Sequence, residues 1–375
     1  DMIKGLRKKD QGAKGTNAEQ LIRYLIVKFR YNASYGEARE MVNNNIYLRN
    51  FSKFSWFKKV PQRRALNELA NKIGPQTIKA LNQLLIEAAK NLNLIKGEEI
   101  RFDTTVCETN IHYPTDNRLL WDVVKTVTTM MIQLKTDKPW IGAFPNRTRR
   151  IQKLSQKIFR SAKKKTKRFK THYREAIRVT KEVLNRASNQ LEKISCTSIL
   201  DMIQIEIIKD HIEIGNKIID QAERRVFKGE KVKASEKIYS IYERHTECIV
   251  RGKAGKNVEF GRKILLTETK GGVITQYDVL KGNPKDDNLL ENILKTHKDL
   301  FDVYPSKTAG DRGFYSKGNE QLLQEKNILN GIPKKGYKNK KQKEWEKSKI
   351  FKQNQKFRNG IEGRISVLKN KYGMN

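Results

Sequence analysis

Residues 99–109 read EIRFDTTVCET. Ile100, Phe102, Thr104 and Val106 alternate with Arg101, Asp103, Thr105 and Cys107. A period of two with β-branched content specifies a strand with one packed face. Asp103 interrupts it, and an acid in such a strand is costly unless it binds something or faces water. The stretch alone leaves those two readings level.

On its N-terminal side the pattern is helical. Residues 1–16 mix Gly and basic residues without periodicity and read as a flexible basic arm. Residues 17–95 read as a small all-helical domain, with DNA reading and plain scaffolding both open. Leu21, Leu25, Lys28 and Phe29 share a face, Ser34 and Glu37 form a capping-box pair, and Ile78, Leu81, Leu85 and Ala88 recur at helical spacing.

On the C-terminal side a helical insert is expected over about 116–234, inside an α/β domain spanning 96–375. Leu184, Ala187, Leu191 and Ile194 mark one helix. Leu200, Ile203, Ile207, His211, Ile214, Ile218 and Ala222 mark the next, and the two pair as a hairpin. His211 is expected in the core. The segment 147–174 is rich in Lys and Arg, and Lys163, Lys164, Lys165 and Lys167 are expected to face solvent and to hold DNA without regard to sequence. Strands follow at KIYSIYER (237–244), ECIVRGK (247–253), VEFGRKILLTETK (258–270) and GVITQYDVLKG (272–282). Beyond them come a helix over 286–301, a loop at PSKTAGDRGF, a helix at SKGNEQLLQEKN, a short strand at ILNGIP, a solvated basic loop over 334–349, and a helix from about Phe351. Ile361, Ile365 and Leu368 are its expected packing side. The fold class is α/β with a mixed sheet.

Lys and Arg number 78 against 41 Asp and Glu, a formal net charge of +37. A folded chain that basic calls for a polyanionic partner, and nucleic acid is the usual one. No apolar run reaches the length of a membrane span and no lipidation signal is present, so no membrane partner is expected. Three dispersed cysteines suggest neither a disulfide framework nor a zinc site, which fits a reducing cytoplasm. The chain opens at Asp1, stops inside a helical pattern at Asn375, and reads as a fragment.

Phosphodiester chemistry needs a nucleophile and charge stabilisation on the leaving oxygen, which two divalent ions supply when carboxylates converge on them. Three acids stand out. Asp103 breaks its strand. Asp311 follows a strand end, where α/β sheets place ligands, though a turn aspartate reads the same. Glu362 lies between Arg358 and Lys369 on one helical face, a pattern that also suits a surface ion-pair array. His112, in NIHYPTD, reads as a loop cap.

The stretches RFDTTVCETNIHYPTDNRLLWDVVK, YERHTECIVRGKAGKNVEFGRKILLTE, KTAGDRGFYSKGNEQLL and FRNGIEGRISVLKNKYGM come in the order found in one group of enzymes. The chain resembles the DDE-class transposases of bacterial insertion sequences over about residues 17–375. The resemblance implies an RNase H-like mixed sheet with a large helical insert, and an acidic triad of Asp103, Asp311 and Glu362. It further implies two Mg²⁺ ions that Mn²⁺ can replace, double-stranded DNA as partner, a homodimer on that DNA, and a cytoplasmic, nucleoid-associated bacterial protein. The Tyr-Arg-Glu-Lys signature of these enzymes is matched by Arg358, Glu362 and Lys369, with Gln355 at the Tyr position. Arg358 and Lys369 would hold phosphates of the element's end. His245, Arg251, Lys253 and Lys256 are weaker DNA-contact candidates. A transposase-derived DNA-binding protein without catalysis, and an RNA-associated basic protein, are the competing classes.

Overall fold

The computed structural model describes residues 16–137, 142–162, 167–194, 198–253 and 256–374, and the side chains of all of these except 251–253 and 256. The chain divides into two compact units, one of residues 1–107 with 263–375 and one of residues 108–262.

The first unit begins with helices α1 (Ala18–Arg30), α2 (Tyr35–Asn44), α3 (Ile46–Phe51), α4 (Arg63–Asn71) and α5 (Pro75–Asn91). Ser34 caps α2 in a reciprocal box with Glu37. Leu21, Tyr24 and Val27 form the buried face of α1, while Phe29 is exposed. On α5 the expected stripe is not the packed one: Ile86 is buried, whereas Ile78 and Leu85 face solvent. Both faces are apolar enough at that spacing, and the packing of Ile86 with Ile95 and Phe301 decides between them.

Strand β1 (Glu99–Glu108) is the axis of this unit. Ile100 and Phe102 are fully buried and Arg101 and Asp103 half-buried, as the alternation predicts. β1 pairs in parallel with β5 (Lys307–Ala309), and β5 in parallel with β6 (Leu329–Asn330). The long strand β3 (Lys256–Thr269) lies on the other side of β1, and antiparallel β4 (Ile274–Val279) pairs with its C-terminal half. The sheet is mixed. Ile100, Phe102 and Leu265 pack with Leu290, Ile293 and Leu294 of α10 (Leu290–Phe301) and Leu323 of α11 (Lys317–Glu325). The Arg101 side chain reaches α13 (Lys349–Tyr372) instead. Before α13 the expected basic loop is in part a helix, α12 (Lys340–Lys347), started by a capping box of Asn339 and Gln342 that its lysines conceal.

The second unit is built on α6 (Asp116–Asp137), α7 (Thr148–Ser161), α8 (Lys167–Leu191) and α9 (Ile199–Val226). All four pack around one apolar cluster that includes Leu120, Val127, Ile151, Leu184 and Ile218. The α8–α9 hairpin of the sequence reading is therefore half of a four-helix assembly. On α9, Ile214, Ile218 and Ala222 are buried as expected, but Leu200, Ile203 and Ile207 are exposed and His211 is only half-buried, its Nδ1 lying 2.8 Å from the Ile207 carbonyl oxygen. The first three turns instead bury Ile205 and Ile208. KIYSIYER forms no strand: Ile241 is buried in the helical cluster, and the Ile238 N–H donates to the Gln221 side chain. β2 (Glu247–Lys253) then pairs antiparallel with the N-terminal half of β3.

Candidate active site

β1 and β5 run side by side with Arg101 opposite Ala309. Two residues beyond that pair, β1 reaches Asp103 in its middle, while the other chain segment has left β5 and reaches Asp311. The preceding pair fixes the spacing. A Cβ on Gly310 would stand 2.4 Å from the Phe102 ring, so only glycine lets the chain pass this close before turning into Asp311. Asp311 is exposed, and its carboxylate accepts the Arg312 N–H at 2.6 Å, starting a short 3₁₀ turn over Arg312–Phe314.

Asp103 is half-buried. One oxygen accepts the Thr104 N–H at 2.7 Å, and the other lies 3.2 Å from Nη2 of Arg358. Nη1 of the same guanidinium lies 2.8 Å from Glu362. Two acids distant in sequence thus share one cation. Arg358 belongs to the buried face of α13 with Phe351, Asn354 and Ile361, although sequence spacing had placed it on the opposite, solvated side. Ile365 and Leu368, expected to be buried, are only half-buried, as is Lys369. Glu362 stays largely exposed beside Arg358.

Gln355 donates to the Gly331 carbonyl oxygen at 2.5 Å, which ties α13 to the loop after β6. The side chain at the signature's Tyr position is thereby engaged within the protein.

Two residues of this neighbourhood were missed in the sequence. Asp286 accepts the Thr104 hydroxyl at 3.0 Å, pairs with Lys263 at 2.8 Å, and lies 2.8 Å from where a Cβ on Gly313 would stand. Glu268 is fully buried between Arg101 and Arg364, 2.7 Å from the Nε of each. Glu268 in an alternating strand and Asp286 at a helix start both look like ordinary solvent-facing positions, and only long-range packing sets them apart.

The carboxylate oxygens of Asp103, Asp311 and Glu362 are hard donors of the type that Mg²⁺ and Mn²⁺ accept. The guanidinium seated between Asp103 and Glu362 shows that this pair is arranged around positive charge. Among the described residues, no three His, Cys, Asp or Glu side chains form a group that could hold a metal as they stand. Asp311 is turned to its own cap.

The remaining candidates lie elsewhere. His112 has Nε2 2.5 Å from Asp122 within the second unit, and burial raises the Asp122 carboxyl above its ordinary range while His112 opposes the shift. His245 is exposed beside Glu243, 3.5 Å away. Lys167 is exposed at the start of α8. Lys163, Lys164 and Lys165 lie outside the described residues, as do the side chains of Arg251, Lys253 and Lys256. Between α7 and α8 a cavity of about 450 Å³ is lined by Arg150, Lys153, Lys157 and His172.

One comparison bears on the family. Residues 232–375 match the family model of the transposase DDE domain. This segment is similar to a transposase DDE domain over well under half of the chain. It contains Asp311, Arg358, Glu362 and Glu268, whereas β1 with Asp103 precedes it. Searches of curated proteins and of solved structures find no match to the chain. Among the described residues no helix is long and apolar enough to cross a membrane.

Proposed function

We propose that the chain is a DNA transposase of a bacterial insertion sequence, cutting and joining DNA at the element's ends on an RNase H-like sheet. The observation that carries this reading is the meeting of Asp103 and Glu362 on Arg358, with Asp311 two residues past the end of the parallel strand β5 that pairs with β1. Asp103, Asp311 and Glu362 would hold two Mg²⁺ ions. Those ions, when bound, supply an activated water or 3′-hydroxyl and stabilise charge on the leaving oxygen.

The chain's own residues do the positioning. Arg358 and Lys369 lie on the helix that carries Glu362 and hold phosphates of the terminal DNA. Arg358 is the better placed, since it already faces the acids where the reacting phosphate must come. Exposed lysines and arginines of the second unit, Lys167 among them, hold the duplex through its backbone, with His245, Arg251, Lys253 and Lys256 as further contacts. A pair of chains on paired ends, in the cytoplasm, is the working assembly.

The test uses labelled duplexes carrying the DNA that flanks the coding sequence, with cleavage and binding measured side by side. Asp103→Ala, Asp311→Ala and Glu362→Gln each lower Mg²⁺-dependent cleavage by more than roughly 100-fold, beyond the usual loss for residues one shell removed from a metal. Binding without metal is retained. Arg358→Ala loses affinity and rate together. A parent chain that binds these duplexes and never cuts them identifies a DNA-binding protein without catalysis and defeats the enzymatic reading.

A further inference from the structure

The geometry points to Glu268 as a positioning residue for the site, a role that rests on the reading just given. An acid with no exposed surface is tolerated only when its charge is matched and its oxygens are bonded. Glu268 meets both conditions with two arginines that come from the two elements the site must align. Arg101 lies on β1, two residues before Asp103. Arg364 lies on α13, two residues after Glu362. Each Nε donates to a different oxygen of Glu268 at 2.7 Å.

Both arginines then reach further. Arg101 Nη1 donates to the carbonyl oxygen of Phe357, one residue before Arg358, and its guanidinium carbon lies 4.9 Å from the centre of the Phe357 ring. A Cβ on Gly360 would stand 1.8 Å from Arg101 Nη1, so the guanidinium rests directly on the helix backbone in the turn between Arg358 and Glu362. Arg364 Nη2 donates to the Gly272 carbonyl oxygen at 2.9 Å, beside the β3–β4 turn. A helix on a sheet face can rotate or slide at little cost when apolar side chains alone hold it. Here one buried carboxylate pins rotation and height together, and those two coordinates decide whether Glu362 stands over Asp103.

A structural ion cluster would raise stability and nothing more. The discriminating variant therefore leaves the fold intact. In Gly360→Ala the new methyl displaces the guanidinium end of Arg101 from its seat on the helix, while alanine itself suits a helix better than glycine. Gly363→Ala, with nothing within 4 Å of the added Cβ, is the control. Mn²⁺ binding to the full chain without DNA, followed by electron paramagnetic resonance, gives a readout independent of turnover. The Mg²⁺ concentration for half-maximal cleavage is measured beside it.

Gly360→Ala and Glu268→Gln each weaken Mn²⁺ binding and raise the Mg²⁺ requirement by roughly 10- to 100-fold, with metal-free DNA affinity unchanged and Gly363→Ala matching the parent. If Glu268→Gln does not fold, Gly360→Ala decides alone. A parent that binds Mn²⁺, joined by a folded Gly360→Ala that binds it equally well, overturns the positioning role and leaves the site reading intact. A parent that binds no Mn²⁺ overturns the metal reading, and this inference goes with it.

Discussion

The two units hold their long helices by opposite means. In the second, α8 buries Tyr173, Ala176, Ile177, Val183, Leu184, Ala187 and Leu191, and its ion pairs, such as Arg178 with Glu175 and Lys181 with Glu223, lie at the surface. In the first, α13 is nearly as long yet buries only Phe351, Asn354 and Ile361, and its grip on the sheet runs through Arg101, Glu268, Arg364 and Arg358. Apolar packing is strong and non-directional, so it sets which face of a helix is inside. Buried charge pairs add little net stability over an apolar replacement, but their geometry is directional. A helix that only has to be packed uses the first device, and one that has to deliver a side chain to a point uses the second.

The contrast can be broken most forcefully at Glu268. Glu268→Ala leaves two arginines facing each other without a buried counter-charge and destabilises the first unit by ~3–5 kcal/mol. Hydrogen exchange resolved by segment should show the loss in 99–103, 264–269 and 349–372. Replacing Arg101, Glu268 and Arg364 together with apolar residues of similar volume should return most of the stability without the alignment of Glu362. If the single change costs no more than a surface substitution, the contrast fails.

Leu184→Ala is the matching change in the bundle. It opens a cavity against Val123 and the α9 backbone near Gly215, whose added Cβ would already stand 2.8 Å from Leu184, and should cost about 3 kcal/mol. The loss should be confined to exchange in 116–226, and a spread into the sheet would contradict that expectation.

A smaller effect separates the units by pH. His297 of α10 is buried against Phe301, and burial pulls its pKa from 6.5 to about 4, against a weaker opposing contact with the Gly97 backbone. The unfolded chain therefore binds a proton between pH 6.5 and 4 that the folded chain refuses. Stability of the first unit is full above 6.5 and falls as pH drops through that window, by roughly 2 kcal/mol at pH 4.5. Urea midpoints taken across the range should slope for the parent and flatten for His297→Phe. The smallest effect belongs to the bundle surface. Arg178→Ala should leave the midpoint unchanged within error, because exposed pairs contribute little.

How much of this was legible in the sequence differs by region for the same physical reason. β1 was plain because its alternation is local, and the helix bearing Glu362 was plain because its periodicity is local. The rotation of that helix was not. Arg358 turns inward because Asp103 lies beneath it, a fact residing on a strand 255 residues away. Glu268 was hidden for the same cause, its charge being matched by residues on two other elements. KIYSIYER alternates like a strand, but its side chains found the helical cluster before its backbone found a partner strand. α12 was masked by lysines, although Asn339 and Gln342 mark its start. The candidate acids were visible as types, while the contact that Asp103 and Glu362 share with Arg358 needed the sheet and α13 together.

The pairing of β1 with β5 joins Glu99 to Lys307, and the helical unit lies between them in sequence. Neighbouring helices can associate as they leave the ribosome, whereas a parallel pair must await both strands, with a loop-closure cost that grows with the chain between them. Biosynthesis therefore builds this molecule from its middle outward. The bundle forms first, the sheet closes around residues 307–330, and the helix bearing Arg358 and Glu362 docks last. Until that helix is made, Asp103 lacks its contact with Arg358, and the ion pairs that join β1 to α13 cannot form. Ribosome-arrested chains of increasing length, probed by limited proteolysis, should show a protected 116–226 fragment well before any protection of 99–108.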